Sequence, residues 1–384
     1  MSNNLTISGF KCFRKKSFTI DKLTVLTGSN GAGKSSLIQA LLLLRLSIEK
    51  NLQNENSLNY TSRNWKGYPT PLNLGYELAL GTNLDIFFND RTLKGGHINI
   101  AIDNEVFSID VPEEDNHNST SVDIKLGRSE FNEQEIPFWR KREFYYLHTE
   151  RIGPRHSLKI NFTEFLHCGN RGEYTAQVIL KNAFYKVNSE RLFDNVKSEN
   201  LPQQINGWLD FICPGARVQV VSLGDLSAQI RISGNSNNES VLATNIGFGI
   251  SYALPIIVNG LIAKKDSLFI LENPEAHLHP KAQSNMGYFL GKIAGAGVRL
   301  IVETHSEHII NGIRRAFLQE KKLKPEEINI YFFDGFDKDK NISIKDVAIN
   351  KEGDLSPYPK DFFDQVLQDM NEIFLLRTIK SNNG

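Results

Sequence analysis

The chain has 384 residues, 40% of them hydrophobic, and its 44 basic and 44 acidic residues give a formal net charge of zero. This composition is that of an ordinary globular protein, with no overall field to attract nucleic acid or an anionic membrane. Cys12, Cys168 and Cys213 are scattered without CxxC spacing, which argues against a disulfide framework and indicates a reducing, cytoplasmic environment. The sequence has no signal-peptide pattern, and its apolar runs are much shorter than the roughly 20 residues that span a bilayer.

The first part of the chain predicts short strands around one long helix. Two strands are expected within residues 5–20 and a third over residues 23–26, and a helix follows over residues 36–48. Between residues 72 and 126, apolar residues alternate in short runs separated by turns, which predicts an antiparallel sheet. A further strand is predicted over residues 143–148.

The second part begins with a mostly helical pattern over residues 173–211. Strands over residues 217–223 and 226–233 and a loop over residues 234–240 are expected next. Helices and strands then alternate to residue 333, which is typical of a parallel sheet. The sequence therefore predicts an α/β fold with a parallel core sheet, an antiparallel β subdomain and an inserted helical and β region.

Residues 28–35, GSNGAGKS, fit the phosphate-binding pattern G-x-x-x-x-G-K-[ST] and lie between a predicted strand and a predicted helix. Glycines allow successive backbone N–H groups to point at one anion. Lys34 supplies a charge for the β- and γ-phosphates, and the Ser35 hydroxyl is a ligand for Mg²⁺. We therefore expect ATP and Mg²⁺ to bind here. The predicted nucleotide-binding residues of this loop are Asn30, Gly31, Ala32, Gly33, Lys34, Ser35 and Ser36.

Three later segments offer partners for the phosphates. A buried strand ends in Glu272, a candidate metal ligand together with Ser35. A glycine-rich turn, residues 245–251, opens a helix and forms a second candidate anion site. His305 follows the next strand, where it is placed to reach a γ-phosphate.

The order of P-loop, glycine-rich turn, acidic strand and strand-end histidine resembles the head of ABC-type ATPases, and within them the RecF-, SMC- and OLD-like AAA-family group. Residues 7–13, ISGFKCF, resemble the N-terminal strand motif of that group, and residues 272–280, ENPEAHLHP, resemble an OLD-like segment. Residues 358–365, YPKDFFDQ, resemble a C-terminal motif of one bacterial subfamily that is often associated with phage defence.

The resemblance implies a homodimer or higher oligomer in which two heads enclose two nucleotides. Lys11 and the P-loop would bind ATP within one protomer, and His305 would act as the switch histidine. Gly247, Gly249 and Ser251 would contact the γ-phosphate bound by the partner. The implied domains are a first ATPase lobe over residues 1–160, an inserted region over residues 161–240 and a second lobe over residues 241–384.

Asn273 departs from the usual pattern, because ABC heads place a glutamate there to polarise the attacking water. Three alternatives stay open at the level of sequence: Glu272 takes both roles, Glu275 or a water assists, or hydrolysis is slow. Nearby, Arg151 and Arg155 in the segment 150–155 are candidates for a phosphate-facing or interface-facing role, or for a structural salt bridge.

Three functions are compatible with these features. The favoured one is an ATPase that regulates a partner effector, for example a nuclease, in bacterial anti-phage defence. An OLD-like nuclease is less favoured, because few residues follow His305. A DNA-repair or chromosome-associated ATPase is also less favoured, because no heptad arm separates the two halves and the net charge is zero. Nucleic-acid binding stays open, and no membrane association is expected.

Overall fold

The computed structural model describes residues 3–52, 59–61, 64–88, 97–110, 119–127, 129–130, 136–234, 237–338 and 341–382. Its strands, in chain order, are β1 Asn3–Phe10, β2 Phe13–Ile20, β3 Leu23–Gly28, β4 Thr70–Pro71, β5 His97–Ile102, β6 Glu105–Asp110, β7 Ser121–Val122, β8 Ile124–Leu126, β9 Phe144–Leu147, β10 Leu158–Lys159, β11 Arg217–Ser222, β12 Ser227–Gly234, β13 Asn237–Leu242, β14 Leu268–Glu272, β15 Arg299–Glu303, β16 Ile328–Phe336, β17 Ile342–Ile349 and β18 Leu355–Ser356. Its α-helices are α1 Lys34–Asn51, α2 Thr175–Lys181, α3 Leu201–Ile212, α4 Phe248–Ile262, α5 Pro280–Gly295, α6 Glu307–Glu320 and α7 Gln365–Asn382.

The central sheet has seven strands in the order β18-β17-β16-β3-β15-β14-β9. The five strands from β16 to β9 are parallel, and β17 and β18 add an antiparallel edge. Strand β14 is buried along its whole length, as expected for a parallel strand covered on both faces. The predicted parallel core sheet is therefore confirmed.

Alternate residues of the central strands enter two separate cores. Leu300 and Val302 of β15 belong to the core that contains α3, α4, α5 and α6. Ile301 belongs to the other core, together with α1 and the antiparallel sheet. Since side chains alternate across a strand, each face of the sheet is covered by a different layer.

The antiparallel subdomain is a five-stranded sheet in the order β2-β1-β5-β6-β8. The alternating pattern of residues 72–126 predicted its part from β5 to β8. The buried ion pair of Arg140 with Glu105 ties it to the segment that leads into β9. The Tyr331 hydroxyl of β16 is hydrogen-bonded to Thr19 of β2. These bonds attach the subdomain to the central sheet.

The prediction of a mostly helical segment over residues 173–211 is only partly correct. Helix α2 ends at Lys181, and no α-helix forms again until α3 begins at Leu201. In between, Arg191 is buried and hydrogen-bonds carbonyls at the end of α4, and its own carbonyl accepts from Trp208. These tertiary contacts override the local helical preference.

The prediction of a loop over residues 234–240 is wrong in its second half. Strand β13 pairs with β12 in antiparallel register, with Val241 opposite Ile232. Backbone pairing with β12 makes a strand of a sequence that is too polar to predict one. At the C-terminus, α7 was not predicted, and it leaves Val366 and Met370 exposed.

No helix in the described part of the chain is long and apolar enough to cross a membrane.

Candidate nucleotide-binding site

The P-loop connects β3 to α1 through positions that only glycine fits. Gly28 has a φ of +125°, and a Cβ there would lie 2.2 Å from the Phe333 carbonyl oxygen. Gly33 has a φ of +96°, and its Cβ would lie 2.7 Å from the Cys12 Sγ. The loop is therefore wedged between β16 and the turn after β1, and a larger residue would displace it.

The loop leaves backbone donors without protein partners. Among the described residues, no carbonyl or side chain accepts from the N–H groups of Gly31, Gly33, Lys34 or Ser35. Lys34 is only 3% exposed, and its ammonium donates to the carbonyls of Gly28 and Ser29 at 2.9 and 2.7 Å. Free N–H groups at a helix N-terminus beside an ammonium fit a triphosphate. When bound, ATP with Mg²⁺ would supply the phosphoanhydride bond and the cation that neutralises its charge.

Two carboxylates end neighbouring strands next to this loop. Glu272 of β14 and Glu303 of β15 are register partners. Glu272 accepts hydrogen bonds from the hydroxyls of Tyr146 and Thr149, both at 2.8 Å. Glu303 lies 3.4 Å from the Ser35 hydroxyl. Burial, and next the charge of Glu272, raise the pKa of Glu303 to about 7.

Glu275 is hydrogen-bonded to the His305 backbone and to the neighbouring Thr304. The Glu275 carboxylate accepts from the His305 backbone N–H and from the Thr304 hydroxyl, both at 2.7 Å. Burial, and next the Lys34 charge, lower the pKa of His305, although a hydrogen bond with the Gly28 backbone opposes that shift. The structure thus brings His305 to the P-loop and uses Glu275 to hold the loop that carries it.

Lys11 lies beside α1. It has a φ of +47°, and its ammonium donates to Gln39 of α1 at 2.8 Å. Its neighbour Cys12 is the residue that a side chain at position 33 would meet. Cys12 thus lies against the phosphate-binding loop, and the Lys11 ammonium is held by the Gln39 amide of α1.

The glycine-rich turn packs against the segment that follows Glu272. Gly247 caps α4 and has open space around it, whereas a Cβ on Gly249 would lie 2.6 Å from the His277 carbonyl oxygen. The Phe248 ring is 53% exposed and contacts the ring of His277. Ser251, one turn into α4, lines a small recess with Gly153. No hydrogen bond among the described residues joins this turn to the P-loop of the same chain.

Arg151 has a structural role that the sequence left open. It is 2% exposed and donates to the carbonyls of Glu272 and Asn273 at 2.7 and 2.6 Å. Its guanidinium also lies over the ring of Tyr252, 5.2 Å from the centroid. Arg151 therefore fastens the end of β14 to α4, whereas Arg155 is exposed.

Three residues of this site have no role predicted from the sequence: Tyr146, Thr149 and Glu303. Glu303 could have been found from the sequence, because it is the acid of the segment VETHS and directly precedes the strand-end Thr304 and His305. Tyr146 and Thr149 carry no local signal, because only the sheet order places β9 next to β14.

The described residues contain no group of three or more His, Cys, Asp or Glu side chains that could hold a metal ion by itself. The acids present fit Mg²⁺ in its usual nucleotide-bound form, in which one or two carboxylates act together with phosphates. The residues available for it are Ser35, Glu272 and Glu303.

Comparisons with known proteins give two family matches along the chain. Residues 23–311 match the family model described as "AAA domain, putative AbiEii toxin, Type IV TA system". Residues 323–373 match a family described as "Protein of unknown function (DUF3696)". No curated protein matches the chain.

Three solved SMC heads are similar in structure, at low sequence identity. An SMC head bound to the C-terminal winged-helix domain of ScpA is 11% identical, with a TM-score of 0.49, over 91% of this chain and 98% of that one. A head with an extended coiled coil, bound to the C-terminal domain of ScpA and derived from Pyrococcus furiosus, is 10% identical, with a TM-score of 0.49, over 97% and 99%. The SMC head domain from Thermotoga maritima is 12% identical, with a TM-score of 0.43, over 90% and 98%.

The AAA family model extends from the start of β3 into α6 and so contains the P-loop, Glu272 and His305. It covers more than half of the chain, which therefore belongs to this family of AAA-domain, ATP-binding ATPases.

Proposed function

We propose that the chain hydrolyses ATP as a head-to-head dimer in which each nucleotide lies between two protomers. The P-loop of one protomer binds ATP and Mg²⁺, and Gly247, Gly249 and Ser251 of the other contact the γ-phosphate. The observation that carries this proposal is the pair of helix N-termini, since α1 and α4 are both suited to an anion and only α1 follows the P-loop.

The residues around the P-loop divide the remaining work. Lys34 binds the β- and γ-phosphates, Ser35 binds the metal, and His305 senses the γ-phosphate from the next strand end. Glu272 is the candidate base, because its carboxylate ends the buried strand β14 and is positioned by hydrogen bonds from two hydroxyl groups. Asn273 cannot accept a proton. Because Asn273 replaces the glutamate that ABC heads usually place there, hydrolysis is expected to be slow, since general-base assistance contributes about 10²–10⁴-fold to the rate.

The biological part of the proposal is regulation of a partner effector, such as a nuclease, in anti-phage defence. The name of the matched family refers to a toxin of a toxin–antitoxin system. Slow hydrolysis suits a switch that keeps an effector in one state for the lifetime of the ATP-bound dimer. We propose that this takes place in the cytoplasm, with the effector binding a surface that depends on the ATP state.

Complementation between two inactive variants tests the shared site. Lys34→Ala removes the P-loop charge but leaves the α4 turn intact. Gly247→Arg blocks the exposed turn, and the open space around Gly247 makes this change compatible with the fold of its own protomer. Gly249 is less suitable, because any side chain there would meet the His277 carbonyl. Ser222→Arg, on the exposed end of β11, is a control of the same size.

Each of the two variants alone is expected to hydrolyse ATP at least about 100-fold more slowly than the wild type. Loss of one contact to the transition state typically lowers the rate by about that factor or more. Mixed together, they form one intact site per heterodimer, so activity returns to a fraction of the wild-type rate. Normal turnover by Gly247→Arg alone, or no recovery in the mixture, would contradict the shared site.

A further inference from the structure

Three carboxylates lie at this site, each at a strand end or in the loop that follows it. Two of them already accept hydrogen bonds from protein donors. Glu272 and Glu275 each accept two hydrogen bonds at 2.7–2.8 Å, one on each carboxylate oxygen. Distances in this range are usual for hydroxyl and amide donors to a carboxylate. Neither residue therefore needs a further ligand to satisfy its buried oxygens.

Glu303 differs in this respect. It is only 6% exposed, and the Ser35 hydroxyl is its only donor among the described residues. That hydroxyl lies 3.4 Å from one carboxylate oxygen and 3.5 Å from the other, well beyond the usual distance of about 2.7 Å for such a bond. A buried carboxylate without strong donors is costly, and it indicates a ligand that completes its coordination.

The sheet order places this carboxylate next to the phosphate-binding loop. Strand β15 lies between β3 and β14, and Glu303 is the register partner of Leu26 in β3. Glu272 lies one strand further from the loop, and neighbouring strands are about 4.8 Å apart. The Ser35 hydroxyl, a metal ligand in P-loops, faces Glu303 and not Glu272.

We infer that Glu303, together with Ser35, is the carboxylate that binds the divalent ion of the bound nucleotide. Glu272 then acts from the neighbouring strand on the water or on the phosphate. The inference rests on the proposed function, because it requires a nucleotide at the P-loop. It moves the metal-binding role from Glu272, at the end of β14, to Glu303, at the end of β15.

The test is ATP binding measured by isothermal titration calorimetry, once with EDTA and once with Mg²⁺. The wild type is expected to bind ATP more tightly with Mg²⁺. Glu303→Gln is expected to reduce that gain by about tenfold or more, the scale of losing a group that supports a bound metal. In EDTA the variant should bind ATP at least as well as the wild type, because a negative charge beside the phosphates is gone. Glu272→Gln and the control Glu307→Gln, on α6, should keep most of the gain.

Two results would overturn the inference directly. One is a full Mg²⁺-dependent gain in Glu303→Gln, and the other is a larger loss in Glu272→Gln than in Glu303→Gln. Glu303→Gln is expected to fold, since it removes the repulsion between two buried acids, and an unfolded variant would show that the carboxylate serves the fold instead. Glu303→Asp should restore part of the gain, which a purely structural role would not predict. A wild type that binds no ATP in either condition would overturn the proposed function as well.

Discussion

Asn273 stands where a base is expected, and its surroundings suit a turn residue better than a catalytic one. It has a φ of +44°, which asparagine tolerates better than most residues, and its backbone N–H donates to the Glu303 carbonyl at 2.8 Å. Its side-chain carbonyl oxygen is buried and accepts no hydrogen bond from a described residue. The residue therefore shapes the turn between Glu272 and Pro274, and Glu272 remains the nearest candidate for the base.

Glu272→Gln is expected to retain ATP and to lose turnover by about 10²–10⁴-fold, because glutamine keeps the shape and loses the proton acceptor. Asn273→Gly, in which glycine tolerates the positive φ, is expected to lower turnover by much less than about 10²-fold. Single-turnover hydrolysis of radiolabelled ATP measures both variants. Equal and severe losses would show that Asn273 positions the water, and a larger loss in Glu275→Gln would assign the base to Glu275.

At the scale of elements, the end of β14, the segment after β9 and the start of α4 form one packed unit. Arg151 bonds the carbonyls at the end of β14, and the Phe248 ring packs against His277. A side chain on Gly153 would meet Phe248 at 2.6 Å. The end of β14 and the glycine-rich turn are thus packed against each other through these side chains.

Arg151→Met tests this unit. The change leaves the carbonyls of Glu272 and Asn273 without their buried donor, and each buried group left unsatisfied costs about 1–3 kcal/mol. We expect a lower free energy of unfolding in urea and a lower rate of ATP hydrolysis. Arg155→Met, at the exposed end of the same segment, is the control and should change neither. Wild-type stability in Arg151→Met would show that the hydrogen bonds of Arg151 to these two carbonyls are dispensable.

The sequence predicted those elements whose local pattern agrees with their tertiary environment. The strands around Glu272 and Glu303 are apolar and buried on both faces, so their pattern identified them directly. Residues 182–200 could not be predicted, because their conformation depends on Arg191 reaching the end of α4. The donors to Glu272 could not be predicted either, since Tyr146 reaches it only through the pairing of β9 with β14.

At the scale of the whole molecule, the central sheet collects the P-loop, Glu303 and Glu272 at the same edge, because these groups all follow parallel strands. Ligands of open parallel sheets bind at the carboxyl ends of the strands. The two cores on either side share these central strands, whose alternate residues enter one core or the other. The domain boundaries at residues 160 and 240 remain predictions.

We expect the purified chain alone not to cut DNA, because nuclease chemistry requires several converging carboxylates with one or two metal ions. Asp334 is paired with Lys345 at 2.6 Å, Asp337 bonds the backbone of Asn341, and Asp339 lies outside the described residues. The measurement is incubation with single- and double-stranded DNA, Mg²⁺ or Mn²⁺, with and without ATP. Cleavage that disappears in Asp337→Ala or Asp339→Ala would favour the OLD-like nuclease.

The most direct test of the account is calorimetric titration of the purified chain with ATP and Mg²⁺, comparing the wild type with Lys34→Ala and Lys50→Ala. Both lysines belong to α1, but Lys34 lies over the P-loop carbonyls, whereas Lys50 is exposed and bonds the Pro69 carbonyl at the other end of the helix. The wild type and Lys50→Ala are expected to bind ATP, and Lys34→Ala is expected to lose most of its affinity while its fold stays intact by circular dichroism. Unchanged ATP affinity in a folded Lys34→Ala would contradict the assignment of the site.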